Sequence, residues 1–166
     1  MEETSRYFIH IIANILEDIV LETEKSINSD RLKCSCSIFN ASKLPKISIE
    51  QYLYRLMSLS KCEEGSIINA LILIDNLCDK NDIFLTRMNY HRILLISVVI
   101  SVKYTEDIFY SNLFYSKIGG IKLQELNDLE IQFLKLINFR IYTDESDFIK
   151  YSNSIKKQIN ELISIS

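Results

Sequence analysis

The chain has 166 residues, of which 48% are apolar and 25% charged. This is a globular mixture, not a disordered one, and it is long enough to bury one core without disulfides or metal. The net charge of −3 and pI near 5.5 leave no basic footprint for nucleic acid. Three glycines and one proline are too few for a strand-rich fold with tight hairpins, so the composition favours helices with short joints.

Met1 is followed by Glu2, Glu3 and Thr4 rather than by the basic and apolar regions of a secretory signal. Cys34, Cys36, Cys62 and Cys78 match neither a zinc-ligand spacing nor a CxxC pair, which predicts free thiols in a reduced intracellular compartment. The Cys34-x-Cys36 pair reads as two exposed thiols.

The first segment, Ser5 to Ile27, repeats apolar doublets at Tyr7/Phe8, Ile11/Ile12, Ile15/Leu16 and Ile19/Val20. That period predicts a helix with one wet face. A polar stretch follows, read as a linker over 29–45 that ends at Pro45. Five helices come next. The first places Ile49, Leu53, Leu56 and Met57 on one face, and Ser60-x-x-Glu63 reads as a capping box opening the second. The second runs through Ile67 to Leu77 and is apolar nearly all round, so neighbours must enclose it.

Thr86 is the expected N-cap of the third helix, which runs to about Tyr104. Its run from Ile93 to Ile100, broken only by Ser97, falls far short of the roughly 20 apolar residues that span a bilayer. It predicts the central core helix, with no membrane association. Ser111 caps the fourth helix, and Gly119-Gly120 ends it. The fifth carries Leu126, Leu129, Phe133, Leu136 and Ile137. Thr143, followed by Asp144, Glu145 and Asp147, opens a last helix with acids in its first turn. Phe148, Tyr151, Ile155, Ile159 and Leu162 form its apolar stripe. The predicted fold is all-α: an N-terminal helix over 1–28, a five-helix unit over 46–142 and a C-terminal helix over 143–166.

Chemistry-bearing motifs are lacking. His10 and His91 lie on different helices, and neither GxxxxGK nor GxGxxG surrounds Gly119-Gly120. No nucleophile, base and orienting group can be assembled, so no catalytic residue, metal or cofactor is expected. Three charges stand out among apolar neighbours: Asp75, Lys103 and Glu130. A lone buried charge is too costly to keep, so each must be paired or reach a helix edge.

Residues 46–141 carry a resemblance that bears on these charges. Tyr52-Leu53-Tyr54-Arg55-Leu56, Ile72-Leu73-Ile74-Asp75-Asn76-Leu77 and Ser101-Val102-Lys103-Tyr104 belong to it. So do Asn112 with Tyr115-Ser116-Lys117-Ile118-Gly119-Gly120, and Glu125-Leu126-Asn127 running to Glu130. Together they resemble a cyclin box, in particular that of the single-box P-type (phosphate-regulatory, or U-type) cyclins; the first 40 residues lie outside the match.

The resemblance implies a non-enzymatic regulatory subunit that binds and activates a cyclin-dependent serine/threonine kinase as a heterodimer. It implies that Lys103 and Glu130 hold the kinase's regulatory helix and activation segment, with Tyr104, Leu134, Phe139 and Ile141 lining the same groove. It also implies a structural ion pair of Lys46 with Asp75, lysine replacing the arginine of cell-cycle cyclins, with Arg55 as an alternative partner. The tryptophan of the cell-cycle docking patch is replaced by Tyr52, with Ser48 and His91 nearby. A cyclin-fold adaptor that activates no kinase remains the other reading. DNA binding by cyclin repeats would need a second repeat and a basic face.

Overall fold

In a computed structural model of the chain, residues 3–27 and 37–165 are described. Helix α1 spans Glu3–Ser26 and buries Phe8, Ile9, Ile11, Ile12, Leu16 and Val20. It lays that face on α2 (Ile49–Ser60) and on α7 (Glu145–Ile165). Each large side chain so buried contributes about 1.5–3 kcal/mol, which makes α1 part of the core and not an appendage. Of the expected 29–45 linker, the part from residue 37 is described: a 3-10 turn at Ser37–Phe39 whose Phe39 ring is fully buried, edge-on to Phe133 at 6.3 Å. Cys34 and Cys36 lie outside the described residues.

The centre is a pair of enclosed helices, α3 (Glu64–Asn81) and α4 (Tyr90–Thr105), which pack on each other more extensively than any other two elements. Both are apolar all round, as their sequences require; from Ile93 to Val102 every residue of α4 is buried. Helix α5 (Asn112–Gly119) and helix α6 (Leu123–Leu136) close the bundle from one side. Among the described residues there is no strand, and no helix is long and apolar enough to cross a membrane.

Several helix ends follow local chemistry. Ser48 and Ser111 cap α2 and α5, each hydroxyl accepting a backbone N–H three residues on. Gly120, with φ +73°, is the left-handed residue that ends α5. Two expected caps are corrected. Ser60 is the last residue of α2, and its hydroxyl donates back to the Leu56 carbonyl at 2.7 Å, so α3 starts from Glu63 without a side-chain cap. Thr86 precedes a turn, and α4 starts at Tyr90; Asn89 makes that turn by accepting from Thr86 N and donating to the Phe84 carbonyl, both at 2.8 Å. Thr143, two residues before α7, donates its hydroxyl to Asn69 Oδ1.

The Asn69 contact belongs to a polar seam inside the helix pair. Asn69 Nδ2 donates to Ser101 Oγ at 2.9 Å, and Ser101 Oγ donates to the Ser66 carbonyl at 2.6 Å. Ser66, Thr105 and Glu106 continue the chain of hydrogen bonds, and Glu106 also receives Glu63 N–H at 3.0 Å. Buried polar groups are tolerable only when satisfied, and here their mutual satisfaction fixes the register of α3 on α4 and with it the exit point of α4.

Candidate functional site

Helix α4 leaves the core at Lys103, the first residue after its enclosed run, placed in the last turn where the helix dipole favours a cation. Lys103 Nζ reaches Oε1 of Glu130, in the middle of α6, at 2.6 Å. The two side chains are 27% and 18% exposed, so the pair sits at the rim of the core with one side open. Asn112, the first residue of α5, donates from Nδ2 both to Glu130 Oε2 and to Asn127 Oδ1, each at 2.8 Å. Three helices therefore converge on one carboxylate.

The same elements carry apolar side chains that the core leaves wholly or partly uncovered. Tyr104 is exposed beside Lys103; Leu134 and Ile141 are half-buried against the core. Phe139 is 64% exposed and held at φ +55°, directly after Asn138 at +54°. A bulky side chain in the left-handed region is costly, about 1–3 kcal/mol, and such residues gather at functional sites. The turn is closed by Phe139 N–H donating to the Leu134 carbonyl at 2.7 Å, which leaves the ring facing outward. Of the six side chains expected at the kinase-facing site, Lys103 and Glu130 are paired, Tyr104 and Phe139 are exposed, and Leu134 and Ile141 are half-buried against the core.

Sequence reasoning missed the loop between α4 and α5. Ile108 is 88% exposed, and Phe109, Tyr110 and Leu113 are exposed as well. Tyr110 is stacked on Phe114 at 4.1 Å. Tyr142, beyond the α6 turn, adds a further exposed ring, over a cleft of about 350 Å³ lined by Asn69, Tyr104, Thr105 and Phe148 among others. The signal was available: Ile108-Phe109-Tyr110 is an apolar run in a segment with no helical period, which a core does not explain. Exposed apolar side chains gathered on one loop in this way mark an interaction surface.

The expected Lys46–Asp75 pair does not form. Lys46 is exposed in the segment before α2, whereas Asp75 lies on the α7 side of α3 and accepts a hydrogen bond from the Tyr151 hydroxyl. Arg55 does not substitute for Lys46: its guanidinium lies over the Tyr52 ring, 5.2 Å from the centroid. Burial raises the Asp75 carboxyl above its ordinary range, opposed by the Tyr151 hydrogen bond and assisted by Asp79.

Tyr52, His91 and Ser48 divide between packing and capping. Tyr52 donates to the Gly119 carbonyl at 3.0 Å and lies edge-on to His91 at 5.0 Å; Ser48 is the α2 cap. His91 Nε2 bonds the Ile47 carbonyl at 3.0 Å, and burial lowers its pKa. His10, far from His91 in sequence, bonds Glu50 at 3.1 Å. Burial pushes the Cys62 and Cys78 thiols up to about 11 and about 12, the opposite of what a reactive thiolate needs.

Fold and face together define an all-helical box whose enclosed central helix delivers a charge to an uncovered apolar surface. A family model described as Cyclin matches residues 7–141. The match therefore includes α1, which the resemblance over 46–141 left out. Cyclin-P3-1 of Oryza sativa subsp. japonica is 31% identical over 153 residues, covering 92% of this chain and 65% of its own length. Cyclin-U4-2 of Arabidopsis thaliana is 35% identical over 124 residues, 74% of this chain and 57% of its own. PHO85 cyclin-7 of Saccharomyces cerevisiae is 33% identical over 144 residues, 80% of this chain and 50% of its own. The chain spans half to two thirds of the length of these relatives. It belongs to the cyclin family, within the group of P-type and U-type cyclins.

Proposed function

We propose that the chain is the regulatory subunit of a cyclin-dependent serine/threonine kinase, binding it through the α4–α6 face and activating it without catalysing a reaction itself. The observation that carries this is the Lys103–Glu130 pair, partly exposed at the rim of the core, on helices whose ends and adjoining loops leave Tyr104, Ile108, Phe109 and Phe139 exposed. Apolar surface around a desolvated, charge-assisted anchor is the anatomy of a protein interface with a few dominant residues. The name of the yeast relative, PHO85 cyclin-7, ties that protein to a partner of the kind proposed.

The mechanism is allosteric. A subunit that binds the active arrangement of the kinase better than the inactive one shifts the population by its differential affinity. In the active arrangement the kinase's lysine–glutamate ion pair and metal-binding aspartate are in place, and phosphoryl transfer proceeds. Lys103 supplies donors and Glu130 acceptors to the polar groups at the end of the kinase's regulatory helix, and the surrounding rings exclude water from them.

Affinity purification of the tagged chain from its own cells, followed by a phosphorylation assay on the eluate, tests this. A serine/threonine kinase should be recovered, and adding the purified chain should raise its activity. Recovery without a rise in activity would mean a cyclin-fold adaptor instead, and recovery of no kinase would refute the reading.

A further inference from the structure

We propose that Asn112 is the positioning residue of Glu130, fixing the plane of its carboxylate so that the outward lone pairs meet the kinase; this rests on the docking reading above. Lys103 holds Oε1 at 2.6 Å, but an ammonium is a compact point charge that holds a distance and sets no plane. Held by Lys103 alone, the carboxylate could swivel about that contact. The second point is Asn112, whose Nδ2 reaches the other oxygen, Oε2, at 2.8 Å.

The amide is itself fixed. It sits on the first residue of α5, directly after the Ser111 cap, so its backbone is set by the helix start. Its Nδ2 also donates to Asn127 Oδ1 at 2.8 Å, one turn of α6 before Glu130. Two acceptors on α6 dictate which end of the amide faces that helix. The consequence is visible at the other end, where Oδ1 is buried and accepts no hydrogen bond among the described residues. An amide placed for stability alone would satisfy both ends. This one accepts the cost and holds Glu130. Each Glu130 oxygen then has one lone pair committed inward and one left for a partner's N–H. The same two bonds tie down the end of the loop that carries Ile108, Phe109 and Tyr110.

The test is a double-mutant cycle with the full-length chain, using as probe the kinase recovered with the wild type. Hydrogen bonds to charged groups set the scale, so Asn112→Ala should weaken kinase binding about tenfold. Glu130→Ala should weaken it more. The double variant should bind within about twofold of Glu130→Ala alone, because Asn112 acts through Glu130.

Asn112→Asp is nearly isosteric and suits a helix start, but it sets a carboxylate against Glu130. It should bind more weakly than Asn112→Ala; thermal melts of the free chain are read beside the affinities, and a loss of binding that merely tracks the loss of melting temperature would overturn the proposal. Should Asn112→Ala fail to fold, Asn112→Asp carries the test. Wild-type affinity in Asn112→Ala, or additive losses in the cycle, would overturn the proposal while a loss in Glu130→Ala leaves the docking reading standing. No loss in Glu130→Ala would overturn both.

Discussion

Gly119→Ala adds one methyl group where α5 approaches Leu95 of α4 closely. A Cβ built on Gly119 falls 2.9 Å from Leu95 Cδ1 and nearer still to Cδ2. Leu95 is fully buried in α4, so its methyls can move only by displacing enclosed neighbours. Overpacking of this kind costs about 1–3 kcal/mol. The better helix propensity of alanine returns at most about 1 kcal/mol, and less at the last residue of a helix. Relief by moving α5 away is also opposed, because the Gly119 carbonyl accepts the Tyr52 hydroxyl at 3.0 Å in the interior, a bond with a net worth of about 0.5–1.5 kcal/mol. The net loss is then about 1–3 kcal/mol, which for a chain of this size lowers the melting temperature by roughly 3–10 °C. Far-UV circular dichroism melts measure it directly. The same substitution in a Leu95→Ala background should cost much less than in wild type, since the space is then free. An unchanged or higher melting temperature, or additive losses in the pair, would refute the close-approach explanation.

Gly120→Ala should cost about 1–2 kcal/mol for a backbone reason alone: φ is +73° and the nearest atom to an added Cβ, Arg55 Nη2, is at an ordinary 3.5 Å. Thermal melts should therefore show that it is insensitive to Leu95→Ala, unlike Gly119→Ala. Glu130→Lys turns an ion pair into two facing cations next to the Asn112 amide donor; loss of a buried charge partner costs an interface about 2–5 kcal/mol, so kinase stimulation should vanish. A cooperative helical melt should persist, because the pair is at the rim of the core; unchanged stimulation would remove the site assignment. Asp75→Asn should raise the melting temperature relative to wild type more at about pH 7 than at about pH 4. Burial holds the Asp75 carboxyl above the ordinary carboxylate range, so the stability it contributes is fully present only when the carboxyl is protonated in both states and is lost as pH rises through the folded pKa. An equal difference at both pH values would contradict this.

How much of this was legible in the sequence divides along one line. Where a residue's role is set by its neighbours in the chain, it could be read in advance. The 3.6-residue period located the helices, the all-round apolar runs named α3 and α4 as enclosed, Ser111 marked a cap and Gly120 a left-handed stop. Where two local signals compete, reading failed: Ser60 satisfies itself on the turn behind it, and Asn89 rather than Thr86 organises the entry to α4. Lys103 and Glu130 drew attention as charges among apolar residues, but that they touch each other depends on how α4 and α6 pack.

The sequence by itself determined an all-helical protein, the identity of its core helices and, through one run of motifs, its family. Period and capping are short-range physics, and they survive without knowledge of the fold. Only the tertiary structure decided the partners across helices. It gave Asp75 to Tyr151 instead of Lys46, drew α1 and Phe39 into the core, and set the adjacent Gly119 and Gly120 to unrelated tasks, one of space and one of backbone angle. It also left Ile108, Phe109 and Phe139 uncovered. The physical reason is common to all of these: a contact between residues tens of positions apart is fixed by the packing of whole helices, and no single segment of sequence contains that information.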